Sequence, residues 1–115
     1  MKKARKNTVL KTCVAKAVEL GGLIEYSADS VVSKTIIDKS AGTVTLFAFD
    51  AGQGLSEHRA PYDALVQIVE GSAILTVGGK KIKAAAGEIV IMPAEIRHAV
   101  AAKEKFKMLL IMIRA

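Results

Sequence analysis

From about residue 30 onward the chain is written in short β-forming segments, and this constrains its fold more than any other feature. VVSKTII (31–37) and TVTLFAF (43–49) are rich in β-branched and aromatic residues, which suit a pleated, half-buried surface. Asp38 to Gly42 supply the turn between them. ALVQIVE (64–70) ends at Gly71, AILTV (73–77) runs into Gly78-Gly79, and KKIKAAA follows. A Gly-Gly pair between two strands predicts a two-residue hairpin, because both central residues can take positive φ. EIVIM (88–92) stops at Pro93; HAVAA (98–102) and FKMLLIMIR (106–114) complete the set. Short strands at close spacing, with turn residues between them, predict an all-β sandwich or barrel.

Two of these segments are apolar on both faces. In ALVQIVE one face carries Ala64, Val66 and Ile68, and the other Leu65, Gln67 and Val69. FKMLLIMI behaves the same way. A sheet with one face in water should alternate more cleanly, so something must cover the second face. A second copy of the chain is the predicted cover, hence a homodimer; the N-terminal segment of the same chain is the alternative. That segment, residues 1–25, reads as a basic tail followed by a short helix or extra strand around Ala15 to Leu20. Residues 26–115 form the single barrel domain.

Charge and composition narrow the partners. A chain of 115 residues supports one hydrophobic core. The net charge of +6 is concentrated: Lys2, Lys3, Arg5 and Lys6 stand in the first six residues, and the remainder holds thirteen basic and eleven acidic residues. A short basic tail on a near-neutral domain is a solvated end rather than a nucleic-acid surface. With no Trp, two Tyr and three Phe, the chain also lacks a stacking platform for single strands. No apolar run approaches the ~20 residues needed to cross a bilayer. The N-terminus starts like a signal peptide, but Lys11, Thr12 and Lys16 interrupt the apolar stretch. The expectation is therefore a cytoplasmic protein with no nucleic-acid or membrane partner. Cys13 is alone, which agrees with a reducing compartment, and reads as an incidental thiol.

The two histidines stand in recognisable frames. His58 lies within GQGLSEHRAPYDALVQIVEG, from Gly52 to Gly71, and His98 within GEIVIMPAEIRHAVA, from Gly87 to Ala101. The spacing resembles the paired motifs of the cupin family. Gly52 is followed by five residues and His58, and Gly71 falls in register; Gly87, Pro93 and His98 match the second motif. The resemblance implies a double-stranded β-helix, or jelly-roll barrel, with a metal site inside. The departures matter as much. Ala60 stands where the second histidine of the first motif belongs, Ala64 where its glutamate belongs, and Glu95 replaces a glycine of the second motif.

Residues i and i+2 of a strand point to one side, so a His-x-His pair places two imidazoles inside the barrel. With a carboxylate and a third histidine they make a mixed nitrogen and oxygen site that suits iron, manganese, nickel, copper or zinc. This chain keeps two of the four groups, His58 and His98, fewer than the three protein ligands of a catalytic zinc site. Asp63 is either a third ligand or a cap on the turn before its strand. Glu57 falls on the opposite face from His58. Tyr62 either lines the barrel mouth or packs on Pro61. Arg59 and Arg97 flank the histidines, so alternation turns them away from the cavity; they read as solvated, with an anionic ligand at the barrel mouth as the alternative. Met92, Met108 and Met112 read as packing residues, and Met1 as the initiator.

Three functions fit. The first is a barrel that binds a small molecule around His58, His98, Tyr62 and Asp63, with a weakly ligated divalent metal on the two histidines or with none. The alternative is a metal-dependent enzyme of oxygenase or isomerase type, acting on a small organic substrate. The third is metal-free acid–base chemistry on a histidine. The two alanines favour the first, because they leave a mainly apolar pocket with few polar groups.

Overall fold

The structure is a computed structural model that describes residues 7–114. Ten strands follow in order: β1 (Thr8–Val9), β2 (Val31–Lys39), β3 (Gly42–Phe49), β4 (Gly54–His58), β5 (Asp63–Glu70), β6 (Ser72–Val77), β7 (Lys80–Ala85), β8 (Ile89–Met92), β9 (His98–Ala101) and β10 (Phe106–Ile113). They form two antiparallel sheets. One has six strands in the order β1-β2-β3-β10-β5-β8, and the other has four, β4-β9-β6-β7. After β3 the chain crosses repeatedly from sheet to sheet, which is the double-stranded β-helix expected of a jelly roll. The two sheets are not hydrogen-bonded into a closed cylinder; they pack face to face around a shared core.

The glycines of the two histidine frames mark the crossings. Gly52, Gly71 and Gly87 lie between β3 and β4, β5 and β6, and β7 and β8, and all three have positive φ. Gly71 is also tightly enclosed: a Cβ there would stand 2.7 Å from the Lys105 carbonyl oxygen and 2.9 Å from the Phe106 Cβ. No other residue suits such a corner. The Gly78-Gly79 hairpin between β6 and β7 has φ of 56° and 81°, as its sequence predicts.

Alternation decides which side chains meet between the sheets. Phe49, Val66, Ile68, Leu75, Phe106 and Met108 are fully buried there. The rings of Phe49 and Phe106 stack at 4.6 Å with only 6° between their planes, and Phe47 lies 5.9 Å from Phe49. Burial of each such ring contributes roughly 1.5–3 kcal/mol.

The other face of the six-stranded sheet is covered in part by the chain itself. Ile24, with Leu20, Leu23 and Tyr26, packs on Leu46, Ala48, Val32 and Leu109. Polar contacts fasten this strap. Lys107 Nζ donates to the Gly21 carbonyl at 2.7 Å and stands 3.6 Å from Glu70. Tyr26 donates its hydroxyl to Glu70 Oε2 at 2.6 Å. Burial, helped by that carboxylate, pushes the Tyr26 hydroxyl above its ordinary range and keeps it a donor. Part of the apolar face from which a second copy was inferred is thus covered within one chain. The remainder, a row of Ile91, Leu65 and Ile111 across β8, β5 and β10, is not covered by the strap.

The N-terminal segment differs in detail from the reading of its sequence. Single 3-10 turns form at Lys11–Cys13 and Leu20–Leu23, and the extra strand is Thr8–Val9, paired with β2. Ala15 has φ of 55°, a left-handed conformation that neither a helix nor a strand continues. The basic cluster Lys2, Lys3, Arg5 and Lys6 lies outside the described residues. Among the described residues no helix is long and apolar enough to cross a membrane.

Candidate functional site

The two histidines are brought together by one strand pair. β4 runs antiparallel to β9 with His58 opposite His98 and Leu55 opposite Val100. Three residues of β4 therefore span two of β9, which is a β-bulge. Without it, strict alternation would turn His58 away from the side that Leu55 faces. The bulge returns both to the interior, where they line one cavity with His98 and Val100.

The imidazole pair has a specific geometry. Nε2 of His58 lies 3.1 Å from Nε2 of His98, and the rings meet edge to face at 72°. The other nitrogens face main-chain oxygens: His58 Nδ1 is 2.7 Å from the Ser56 carbonyl, and His98 Nδ1 is 3.1 Å from that of Ile96. A carbonyl only accepts, so each Nδ1 carries the hydrogen and donates it. The two Nε2 atoms then face each other at hydrogen-bond distance, and a proton, a metal ion or a ligand donor between them satisfies both. The same outward hydrogen bond to a carbonyl is how metal-ligating histidines are held. With metal–nitrogen bonds of ~2.0–2.1 Å and angles of about 90–109°, two ligating nitrogens stand roughly 2.9–3.4 Å apart. The observed separation falls in that interval.

The surroundings are soft and apolar. The cavity has a volume of about 40 Å³, enough for an ion and a few water-sized atoms. Ala60 and Ala64 line it where the resemblance would place donors, together with Leu110 and three methionines, Met92, Met108 and Met112. His98 is buried at 6% exposure, whereas His58 is exposed and forms the rim. Outside the rim Glu57, Arg59 and Arg97 border a second cleft with His58, of about 240 Å³. Arg97 stands 3.5 Å from Glu57.

Asp63 and Tyr62 are not in the cavity. Asp63 Oδ1 accepts the Ala94 backbone N–H at 2.8 Å, so its carboxylate pins the turn between β8 and β9. Its hydrogen bond is to neither expected partner: the carboxylate holds the β8–β9 turn, not a ligand and not the turn before its own strand. Tyr62 is half-buried with the Arg114 guanidinium 5.7 Å above its ring. Among the described residues no group of three or more His, Cys, Asp or Glu could hold a metal ion. Two imidazoles are thus the donors of this kind that meet at the site, short of a four-ligand divalent centre.

Met92 and Met108 are core residues, as expected of packing residues, and with Met112 they also line the cavity, which local sequence does not reveal. Alternation puts Met108 and Met112 on the inward face of β10, and strand pairing sets Met92 and Met112 on either side of Ala64.

The comparisons with known proteins agree with this architecture. The structure superimposes on a conserved protein of unknown function from Streptococcus pyogenes with a TM-score of 0.85, at 31% identity, covering 99% of this chain and 96% of that one. A cupin superfamily protein from Desulfitobacterium hafniense gives 0.84 at 29% identity, over 98% and 100% of the two chains. A cupin 2 conserved barrel domain protein from Leptotrichia buccalis gives 0.79 at 39% identity, over 82% of this chain and 46% of that one. No curated protein matches the sequence. A family model for the cupin domain matches residues 45–114, more than half of the chain, and the chain belongs to that family.

Proposed function

We propose that this cupin is a binding module that holds a very small ligand, with a weakly ligated cation, at the His58–His98 pair. The observation that carries the reading is the pair of Nε2 atoms 3.1 Å apart, each ring held at Nδ1 by a carbonyl behind it. A cation or a ligand O–H or N–H is what such a pair receives. The 40 Å³ cavity limits the enclosed part of the ligand to a few atoms. With Arg97 paired to Glu57, Arg59 leaves the outer cleft one net positive charge, which favours an anionic group on whatever part stays outside.

Reaction chemistry of oxygenase or isomerase type would need a third nitrogen or oxygen donor at the metal. Asp63, the residue available for that role, is engaged by the Ala94 N–H. Binding without turnover is therefore the reading the geometry supports best.

The test is cation uptake by dialysed protein, read as metal content and melting temperature with zinc, manganese, iron, nickel and copper, for the wild type and His58→Ala. Any one ion held at one per chain and lost in the variant supports the proposal. Equal uptake by both proteins, or none by either, removes it.

We also propose a cytoplasmic homodimer. Ile89, Ile91 and Ile113, each more than half exposed, adjoin Leu65 and Ile111 on the face that the N-terminal strap leaves open. An apolar face of this kind suits a second copy. Sedimentation should give a dimer for the wild type and a monomer for Ile91→Glu.

A further inference from the structure

We infer that the cation this site selects is copper(I), held by the two imidazoles together with methionine thioethers. The inference rests on the reading of the histidine pair as a cation site and adds the identity of the ion. Its first support is the exchange of donors around Ala64. That position, where the family motif carries a carboxylate, has only a methyl group here. Its cross-strand neighbours on both sides are methionines, Met92 on β8 and Met112 on β10. Directly opposed residues on one face have Cβ atoms about 4.5–5.5 Å apart, so the two thioethers flank the place a carboxylate would fill. Both side chains, and that of Met108, line the same cavity as His58 and His98. The hard oxygen donor of the motif is absent and sulfur side chains stand beside its position, and thioethers prefer copper(I) to the harder divalent ions.

Charge gives a second, independent support. Among the described residues the cavity wall contains no anionic side chain. A bound ion would then keep its whole charge in an apolar enclosure beside the buried His98. The cost of removing an ion from water rises with the square of its charge, so a monovalent ion costs about a quarter of a divalent ion of similar size. A neutral set of two imidazoles and two thioethers thus suits a singly charged soft ion better than any divalent one.

The experiment is an anaerobic copper(I) titration of the full chain against bicinchoninate, with zinc(II) and manganese(II) titrated in parallel. Cys13→Ser is the background, so that the thiol cannot supply the copper ligand. The expected result is one copper(I) per chain, bound at least about tenfold more tightly than zinc(II). Met92→Leu combined with Met112→Leu nearly conserves volume. It should weaken copper(I) by about tenfold or more and leave zinc(II) within about twofold. X-ray absorption of the copper-loaded protein, which needs no variant, should show sulfur as well as nitrogen scattering. Copper(I) binding unchanged by the double substitution, or nitrogen scattering alone, would overturn the inference while the paired-imidazole site stands. Zinc(II) or manganese(II) held more tightly than copper(I) would do the same. Failure of every ion, or copper retained by His58→Ala, would overturn both.

Discussion

The space between the two sheets is finished in opposite ways at its two ends. At one end Phe49 and Phe106 stack at 4.6 Å and fill the gap, with Gly71 pressed against Phe106. At the other end Ala60 and Ala64 leave a cavity, and the two histidines and three methionines surround it. Strand β10 crosses from one to the other, with Phe106 at its start, Met108 and Leu110 along its length, and Met112 near its finish. The difference teaches that one pair of sheets can be filled at one end and left open at the other. Large rigid rings close one end, and two alanines leave space at the other.

Substitutions at each end can break or sharpen this division. The largest effect is expected at the closed end. Phe106→Ala should cost about 3–5 kcal/mol in urea unfolding, since it removes a fully buried stacked ring and leaves a hole. A loss under 1 kcal/mol would mean that the closed end does not anchor the fold. At the open end, Ala64→Glu restores the carboxylate of the family motif. The ion-free protein should lose about 1–3 kcal/mol, because a carboxyl group enters an apolar cavity. Zinc or manganese should then raise the melting temperature of this variant more than that of the wild type. Without such a gain, Ala64 is not what sets the site's preference.

Smaller effects refine the picture. Glu95 stands in the β8–β9 turn with φ of 66°, in the position where the family motif has glycine. The left-handed conformation costs a non-glycine residue about 1–2 kcal/mol, and glycine's greater freedom in the unfolded chain offsets part of that. Glu95→Gly should therefore stabilise the open end by about 0.5–1 kcal/mol in the same unfolding measurement. The last effect is a pH dependence beside the closed end. The backbone N–H groups of Asp29 and Ala51 hold the Asp50 carboxyl below its ordinary value of 3.8. Its contribution is present above that ordinary value and is lost as pH falls through the lower folded one. Melting curves taken from about pH 4 downward should show a shallower decline for Asp50→Asn than for the wild type.

Much of this arrangement is legible in the residues. The β-branched runs gave the strands, and the glycines between them gave the corners, because positive φ is a local demand that only a few residues meet. The histidine frames pointed to a shared interior, and the structure puts the two rings in contact. Strand β4 was not foreseen, since GLSEH is exposed at most positions and lacks an apolar alternation. Its bulge is invisible for the same reason: an extra residue in one strand is defined only against its partner. The role of Asp63 depends on the Ala94 N–H, 31 residues away, which no local pattern encodes. The methionines are packing residues as read, but that Met92 and Met112 flank Ala64 is fixed by strand pairing and not by local sequence.

The position of β10 has a consequence for how the molecule is made. It is the last of the described strands, yet it lies in the interior of the six-stranded sheet, with β3 on one side and β5 on the other. During synthesis the pairs β2–β3 and β5–β8 can form early, but nothing joins them until β10 has emerged. The strap waits as well, since Lys107, which holds the Gly21 carbonyl, arrives 86 residues after its partner. Until then the apolar faces of β3 and β5 remain open to other nascent chains. Long-range closure of this kind is slow. A ribosome that stalls before β10 would therefore leave two unmatched half-sheets, and the cell would have to shield them or destroy them.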